Sequence, residues 1–424
     1  MTFILDIITY DKRYNGGIYM RKYRVISLFS GAGGIDIGFI NSGFDIVWAN
    51  DFNEEAVASY KKNIGDHIVL GDITQIENSE MPNDIDIVIG GFPCQGFSVA
   101  NTKRSMEDKR NFLYKEMLRV IKDKKPKFFL AENVKGIMSI ENGKVFEMIK
   151  FDFEQIGYRV DARILNAAEY GVPQTRERVV IIGNRLGLEN PYPEKTHYLP
   201  EVTQETDGLL PAITTEQAIG FLSEVKLSKE PFIYEGKTII NHIAATNVED
   251  KFWGRKYDVN QHEICDYLKS CRDKAGWTTK AVDDHFGYAY TAGHWFRKDN
   301  NSGSIPKPED WWELKRILGF DDKYDKVVTT FIEKEIKFEQ SLRITNWDRS
   351  SDTITATSPE IHVNKKRRLS VRECAIIQTF PMDYEFTGGI NRMYTQVGNA
   401  VPVLLAQKIA AEIKKAIDSS ERKI

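Results

Sequence analysis

YRVISLFSGAGGIDIGFINSGFDIVWAND occupies residues 23–51. The apolar run Tyr23–Phe29 stops at Ser30-Gly31, Gly34–Ser42 takes helical spacing, and Asp45–Asn50 is apolar again. Strand, glycine turn, helix and strand in that order form the repeating unit of a parallel sheet wound by crossover helices. The rhythm continues to Arg185. It predicts a helix over Asn53–Ile64 capped by Asn53, strands at His67–Leu70, Asp84–Gly90 and Lys127–Ala131, and helices over Phe112–Lys122 and Lys144–Ile156. Strands at Arg159–Leu165 and Arg178–Gly183 close the series. The fold class is therefore α/β, a doubly wound, mostly parallel sheet. Ligands of such sheets sit beyond the carboxyl ends of the strands. Gly31–Gly34, Asp51, Asp72, Cys94 and Glu132 all fall there.

Past Arg185 the periodicity is broken by Pro191, Pro193 and Pro200, and residues 190–365 hold most of the tryptophans. The expected organisation is a first domain over 21–188, a smaller irregular domain over 189–365, and a segment 366–424, helical around QVGNAVP, that returns to the first. Residues 1–20 precede the first strong strand. They are either an extension upstream of a start at Met20 or an arm packed on the surface.

A length of 424 residues suggests roughly two or three domains. With 42% hydrophobic and 28% charged residues, the chain is an ordinary globular protein rather than a disordered, collagenous or coiled-coil one. No apolar run approaches the roughly 20 residues that span a bilayer. The balance of 58 basic and 61 acidic residues exerts no global pull on nucleic acid, so any such site must be a local basic face. Cys94, Cys265, Cys271 and Cys374 form no disulfide scaffold and no CxxC pair, so no metal is expected. Reduced thiols and the lack of a secretory signal pattern point to the cytoplasm.

Four clusters carry chemistry. Phe29–Gly34 runs a strand into small residues that let a ligand approach the backbone. Asp36 stands where GxGxxG needs its third glycine, which weakens a nicotinamide-dinucleotide reading. Asp51 ends the second strand, where a carboxylate accepts from ribose hydroxyls, and Asp72 ends the third, within reach of an adenine amino group. Together they suggest an adenosine-containing cofactor; singly, the glycines make only a tight turn. In GGFPCQGFS (90–98), Cys94 follows a strand on a Gly/Pro loop, as an exposed nucleophile would, although a lone cysteine is more often a small buried hydrophobe. Glu132, ending the fifth strand, is a general acid, a hydrogen-bond partner for a polar ring, or a helix cap. In QTRER (174–178), alternation puts Arg176 and Arg178 on one face, suited to phosphate or a base oxygen, or simply solvated.

In this order the segments resemble the bacterial DNA (cytosine-5)-methyltransferases that use S-adenosyl-L-methionine. LFSGAGG (28–34) is similar to the family's cofactor loop, WAND (48–51) to its ribose-binding strand end and GDIT (71–74) to its adenine turn. GGFPCQGFS resembles the catalytic loop, AENVKG (131–136) the ENV motif and YGVPQTRERVVIIG (170–183) the QxRxR segment. RRLSVRECAIIQTFP (367–381) and QVGNAVP (396–402) resemble the last two motifs. The resemblance implies the class I S-adenosylmethionine-dependent fold. It implies that Cys94 attacks C6 of a flipped cytosine in a specific duplex sequence, so that C5 takes the methyl group and S-adenosyl-L-homocysteine is left. Glu132 then serves N3, provided a closed pocket keeps it protonated, Arg178 contacts O2, and Arg176 supports the loop or contacts phosphate. Phe29 stacks on adenine, with Ser30, Gly31, Gly33, Gly34, Asp51, Phe52, Asp72, Ile73, Pro93, Leu113, Asn399 and Val401 completing the cofactor site. Gln95, Ser98 and Gln174 face the DNA.

The long middle region corresponds to the family's target-recognition domain. Within it, 277–319 resembles a phage-repressor-type helix-turn-helix: TTKAVDDHFG (278–287), YTAGHWFRK (290–298), then SIPKPEDWWELKRILG (304–319). Asp283 and Gly293 depart from that pattern, and a packing insert is the alternative. SSDTITATSPEIHV (350–363) resembles the end of the recognition region, and Lys365–Arg368 either holds phosphates or is a solvated basic turn. The layout implies double-stranded DNA as partner, a monomer, no membrane association, and a modification enzyme with a cognate restriction endonuclease acting on the same site without stable complex. An RNA (tRNA) cytosine methyltransferase, a non-catalytic DNA-binding relative and a nicotinamide-dependent oxidoreductase are the competing readings.

Overall fold

The computed structural model describes residues 22–93, 113–202, 208–246, 261–287, 308–331, 344–357 and 359–422. They divide into two compact units: one runs to Ala244 and adds Asn346–Pro359 and everything from Leu369, and the other takes Ala245–Thr345 and Glu360–Arg368. The first packing boundary thus falls at 244/245 rather than at the expected 188/189. Residues 1–20 lie outside the described residues.

The first unit is built on seven strands: β1 (Arg24–Leu28), β2 (Asp45–Asp51), β3 (Ile68–Leu70), β4 (Ile87–Gly90), β5 (Phe128–Val134), β6 (Arg159–Asn166) and β7 (Glu177–Asn184). Their order is β3-β2-β1-β4-β5-β7-β6. Pairing is parallel from β3 through β5, and β7 runs antiparallel to both neighbours. A sheet buried on both faces needs near-continuous apolar strands, and the central strands β1, β4, β5 and β7 carry such runs through their middles. Val25, Ile87, Ile89, Phe128, Leu130, Val180 and Ile182 pack on one side. Ile26, Val88, Phe129, Ala131, Val179 and Ile181 pack on the other. Helices α1 (Gly34–Asn41) and α2 (Glu54–Asn63) follow β1 and β2, and α3 (Tyr114–Lys124) and α4 (Lys144–Gln155) follow β4 and β5. Asn53 caps α2 as its position suggests, its side chain accepting from Ala56 N at 2.8 Å.

Residues 189–244 contribute two small strand pairs, β8 (His197–Tyr198) with β9 (Leu210–Pro211) and β10 (Phe232–Tyr234) with β11 (Lys237–Ile239), and α5 (Thr215–Ile219). Four helices, α6 (Gln261–Lys274), α7 (Thr279–Phe286), α8 (Pro308–Leu318) and α9 (Asp325–Phe331), belong to the second unit. They enclose Ile264, Leu268, Val282, Trp311, Leu314, Leu318, Phe320, Tyr324 and Val328. The spacings 264/268 and 311/314/318 are those of one helix face. Helix α7 ends at Gly287, φ 72°, as expected of the first helix; 290–298 lies outside the described residues. In the basic run, Lys365 and Lys366 are exposed but Arg367 and Arg368 are buried, and Arg367 donates to the Arg368 carbonyl. The arginines are therefore tied into the chain rather than set out for phosphate.

The C-terminal segment forms α10 (Val371–Ile377), α11 (Ile390–Asn399) and α12 (Val403–Glu421) of the first unit. A Cβ on Gly38 would lie 2.6 Å from Ala406 Cβ, so glycine is what lets α12 close on α1.

Candidate active site

The strand order reverses between β1 and β4, and crevices for ligands open at such switch points. Leaving β1, the chain turns sharply: Phe29, Gly31 and Gly33 have φ of 55°, 55° and 76°. A left-handed non-glycine residue such as Phe29 costs of order 1–3 kcal/mol and persists where surrounding structure holds it. Here Ser30 N donates to the Asn50 carbonyl (2.9 Å) and Gly31 N to Asp51 Oδ2 (2.8 Å). Asp51 Oδ1 accepts from Asn53 N at 2.8 Å. Burial pushes the Asp51 carboxyl up, and these backbone donors work against that. Among the described residues a Cβ on Gly31 would meet nothing within 4 Å, whereas one on Gly33 would overlap Ile64 and one on Gly34 would lie 2.4 Å from the Val401 carbonyl oxygen. The loop is thus closed behind and open in front, a cradle suited to a ligand's approach to backbone.

Past the carboxyl ends of β2 and β3 come Phe52, 70% exposed, and the exposed Asp72, whose carboxylate accepts from Thr74 N while Ile73 beside it is buried. Pro93 and Leu113 are half-buried, Asn399 is exposed and Val401 is buried against Gly34. Asp36 is more than a missing glycine. It is fully buried under the loop, accepts from the Tyr60 hydroxyl at 2.9 Å, and is raised to about 6, chiefly by burial. Tyr60 in turn meets His67 Nε2 at 3.0 Å. Nothing in the sequence singled out Tyr384, whose hydroxyl donates to the Ala32 carbonyl at 2.6 Å and pins the loop from below.

Two strands away, Glu132 stands two residues before the end of β5, which runs on to Val134, and Arg178 is the second residue of β7. The antiparallel register pairs Val134 with Arg178, so Glu132 and Arg178 lie diagonally on one face. Arg178 Nε is 2.8 Å from Glu132 Oε1, and both side chains are largely covered. Among the described residues no N–H or O–H is directed along a lone pair of Oε1. The strand leading to the cysteine loop passes this carboxylate: a Cβ on Gly91 would lie 3.1 Å from Glu132 Oε2, and Asn133 Nδ2 donates to the Phe92 carbonyl at 3.0 Å. Cys94, Gln95 and Ser98 lie outside the described residues.

Arg176 does not share the exposed face expected of it. It is 1% exposed, donating to the carbonyls of Ile354 and Gly398, both at 3.0 Å. Burial, and then the charge of Arg178, pull its pKa well below the ordinary arginine value. Gln174, expected at the DNA, is fully buried, with its amide bonded to Gln378 and Ile354. Both residues are internal ties, because the chain at 350–354 runs beside 173–176 and covers them.

A family model described as C-5 cytosine-specific DNA methylase matches residues 23–415. The chain belongs to that family. It is a DNA (cytosine-5-)-methyltransferase, and its sheet is that of the class I S-adenosylmethionine-dependent methyltransferases. The methylase is 33% identical over 410 residues to the Type II methyltransferase M.NgoFVII of Neisseria gonorrhoeae, covering 95% of this chain and 89% of that one. It is 32% identical to the Type II methyltransferase M.BspRI of Lysinibacillus sphaericus, covering 92% and 81%. A solved E. coli structure, described as a DNA modification methyltransferase encoded within a prophage, shares the fold at a TM-score of 0.55 and 23% identity, covering 94% of this chain and all of that one. No described helix of the methylase is long and apolar enough to cross a membrane.

Proposed function

We propose that this methylase modifies cytosine in a short duplex DNA sequence with S-adenosyl-L-methionine as donor, as the modification partner of a restriction endonuclease in the cytoplasm, acting as a monomer. The observation that carries the reading is the joint position of the glycine cradle and the Glu132–Arg178 pair at the carboxyl edge of one sheet, with β4, the strand that precedes Cys94 in sequence, lying between β1 and β5. The residues present fit the cofactor: an uncluttered Gly31, the Asp51 carboxylate for ribose, Asp72 and Ile73 for adenine, Phe29 and Phe52 for its ring faces, and Ser30, Gly33, Gly34, Pro93, Leu113, Asn399 and Val401 around them. When bound, the cofactor supplies an electrophilic methyl group.

The protein's part is to make a nucleophile out of a stable ring and then restore that ring. A base inside a duplex is out of reach, so it is flipped into the pocket. The Cys94 thiolate's electron pair forms the bond to C6, the C5–C6 π pair shifts to C4–C5 and the C4–N3 π pair moves onto N3, so the resulting enamine is nucleophilic at C5. Glu132 hydrogen-bonds or protonates N3 as that charge develops, and Arg178 holds O2. Once C5 carries the methyl group, loss of its proton expels Cys94 and returns the aromatic ring. Gln95 and Ser98 contact DNA as the loop closes, and the 189–365 region, helical insert included, reads the sequence.

Expression in a methylation-free host, followed by genome-wide bisulfite mapping beside Cys94→Ala, tests this directly. One short methylated motif, absent from the variant, is expected. A folded, cofactor-binding protein that methylates no DNA would sink the reading and move the test to tRNA.

A further inference from the structure

Four motif segments close into a buried hydrogen-bonded ring. Ile354 N donates to Gln174 Oε1 (2.9 Å), and Gln174 Nε2 donates to Gln378 Oε1 (2.9 Å). Gln378 Nε2 then donates to the carbonyls of Val397 (2.8 Å) and Ala400 (3.1 Å). The ring returns through Arg176, which donates to the Gly398 and Ile354 carbonyls. All three side chains are fully or almost fully buried.

The direction of the chain is fixed at both ends. A backbone N–H can only donate at Ile354, and carbonyls can only accept at Val397 and Ala400. Each intermediate side chain must therefore accept on one arm and donate on the other, which glutamine does and glutamate or methionine does not. What the ring grips is the turn carrying Asn399 and Val401, whose own closing bond, Ala400 N to the Val397 carbonyl, is a long 3.3 Å. The Gln378 carbonyl also accepts from Val403 N at 3.1 Å, so this residue holds both sides of the turn. At the other end, Arg176 is two residues from Arg178 and its ion pair with Glu132.

We infer that Gln174 and Gln378 are positioning residues for methylation: together with Arg176 they set the Val397–Val401 turn against the glycine loop and hold that wall of the cofactor pocket in one piece with the Glu132–Arg178 pair. The inference rests on S-adenosylmethionine being the cofactor. A buried polar network specifies one arrangement where apolar packing would tolerate several; in this ring both glutamine side chains and both terminal nitrogens of Arg176 are bonded, and Arg176 Nε has no partner among the described residues.

The test is S-adenosylhomocysteine binding to the full chain, by calorimetry without DNA, for the parent, Gln378→Glu and Gln378→Met. In Gln378→Glu an ionised carboxylate has no proton for the two carbonyls, but burial favours the neutral acid, whose single O–H restores one bond. Gln378→Glu should therefore bind about tenfold more weakly than the parent near pH 8.5 and recover most of that loss near pH 6, the scale of one hydrogen bond. Gln378→Met should stay weak throughout, and the parent's own profile supplies the baseline, since Asp36 titrates in the lower part of this range. If the Gln378 variants do not fold, Gln174→Glu tests the ring from its other side with the same expected recovery. Folded variants that bind like the parent at the higher pH would overturn the inference. A parent that binds no S-adenosylhomocysteine would instead remove the cofactor reading, and the inference with it.

Discussion

Asp36 shows how a single residue can be identified correctly and still misjudged in weight. The sequence marks it only as an interruption of a glycine pattern, but the fold buries it beneath the glycine loop with Tyr60 as its hydrogen-bonding partner and Asp51 and Tyr384 as electrostatic neighbours. Its carboxyl is raised from 3.8 to about 6, so the folded protein binds this proton more tightly than the unfolded chain does. Stability from this group is complete below pH 4 and is lost as pH rises to about 6, a change on the order of 3 kcal/mol. Asp36→Asn should erase that slope: between about pH 4.5 and 7 the difference in unfolding free energy between variant and parent should move in the variant's favour by up to that amount. Urea denaturation at several pH values reads it, and a constant difference would refute the assignment. Glu132 drew notice in the sequence because a charged residue at the end of an apolar run is conspicuous, and Arg178 because it alternates with Arg176; the fold sets the two side chains 2.8 Å apart. Alternation put Arg176 on one face with Arg178, and the resemblance put Gln174 at the DNA, but neither signal tells what covers a residue, and the cover, residues 350–354, comes from far along the chain.

Elements were the most legible level. Seven strands and four crossover helices fall within a few residues of their expected bounds, since both periodicity and caps are local signals. Helix α10 is a case where the cap can be weighed. Ser370 accepts from Glu373 N at 3.0 Å, Ser370 N donates to Glu373 Oε2 at 2.7 Å, and the same hydroxyl is 3.0 Å from His242 Nδ1. Ser370→Ala should cost about 1–2 kcal/mol, seen as a lower urea midpoint at unchanged m-value. An unchanged midpoint would mean that α10 is held by its tertiary packing alone. The apolar residues of α10 are buried throughout, and they pack with Ile219, Leu222 and Ile239 from the region the sequence assigned to a separate domain. That packing is why the first compact unit runs on to Ala244.

At the scale of the molecule, the helical unit has a core of its own, centred on Trp311, whose ring packs 4.8 Å from Phe320 and whose Nε1 donates to Asp325 Oδ1 at 2.8 Å. Removing so large a buried side chain costs about 3–5 kcal/mol, more than a small helical core readily supplies. Trp311→Ala should make residues 261–331 sensitive to limited proteolysis and abolish site-specific methylation, while S-adenosylhomocysteine binding persists. Loss of that binding together with the helical unit would show that the two fold as one cooperative block.

The sequence by itself determined the strand and helix order, the family and the residues expected at each strand end, because hydrophobic period, glycine turns and short motifs are written locally. Only the tertiary structure decided which polar groups work at the surface of the site and which inside its walls. Asp36, Gln174, Arg176 and Gln378 owe their roles to partners 19 to 222 positions away. No local pattern encodes such a partner, since a polar side chain looks the same in sequence whether it faces water or is hydrogen-bonded in the core.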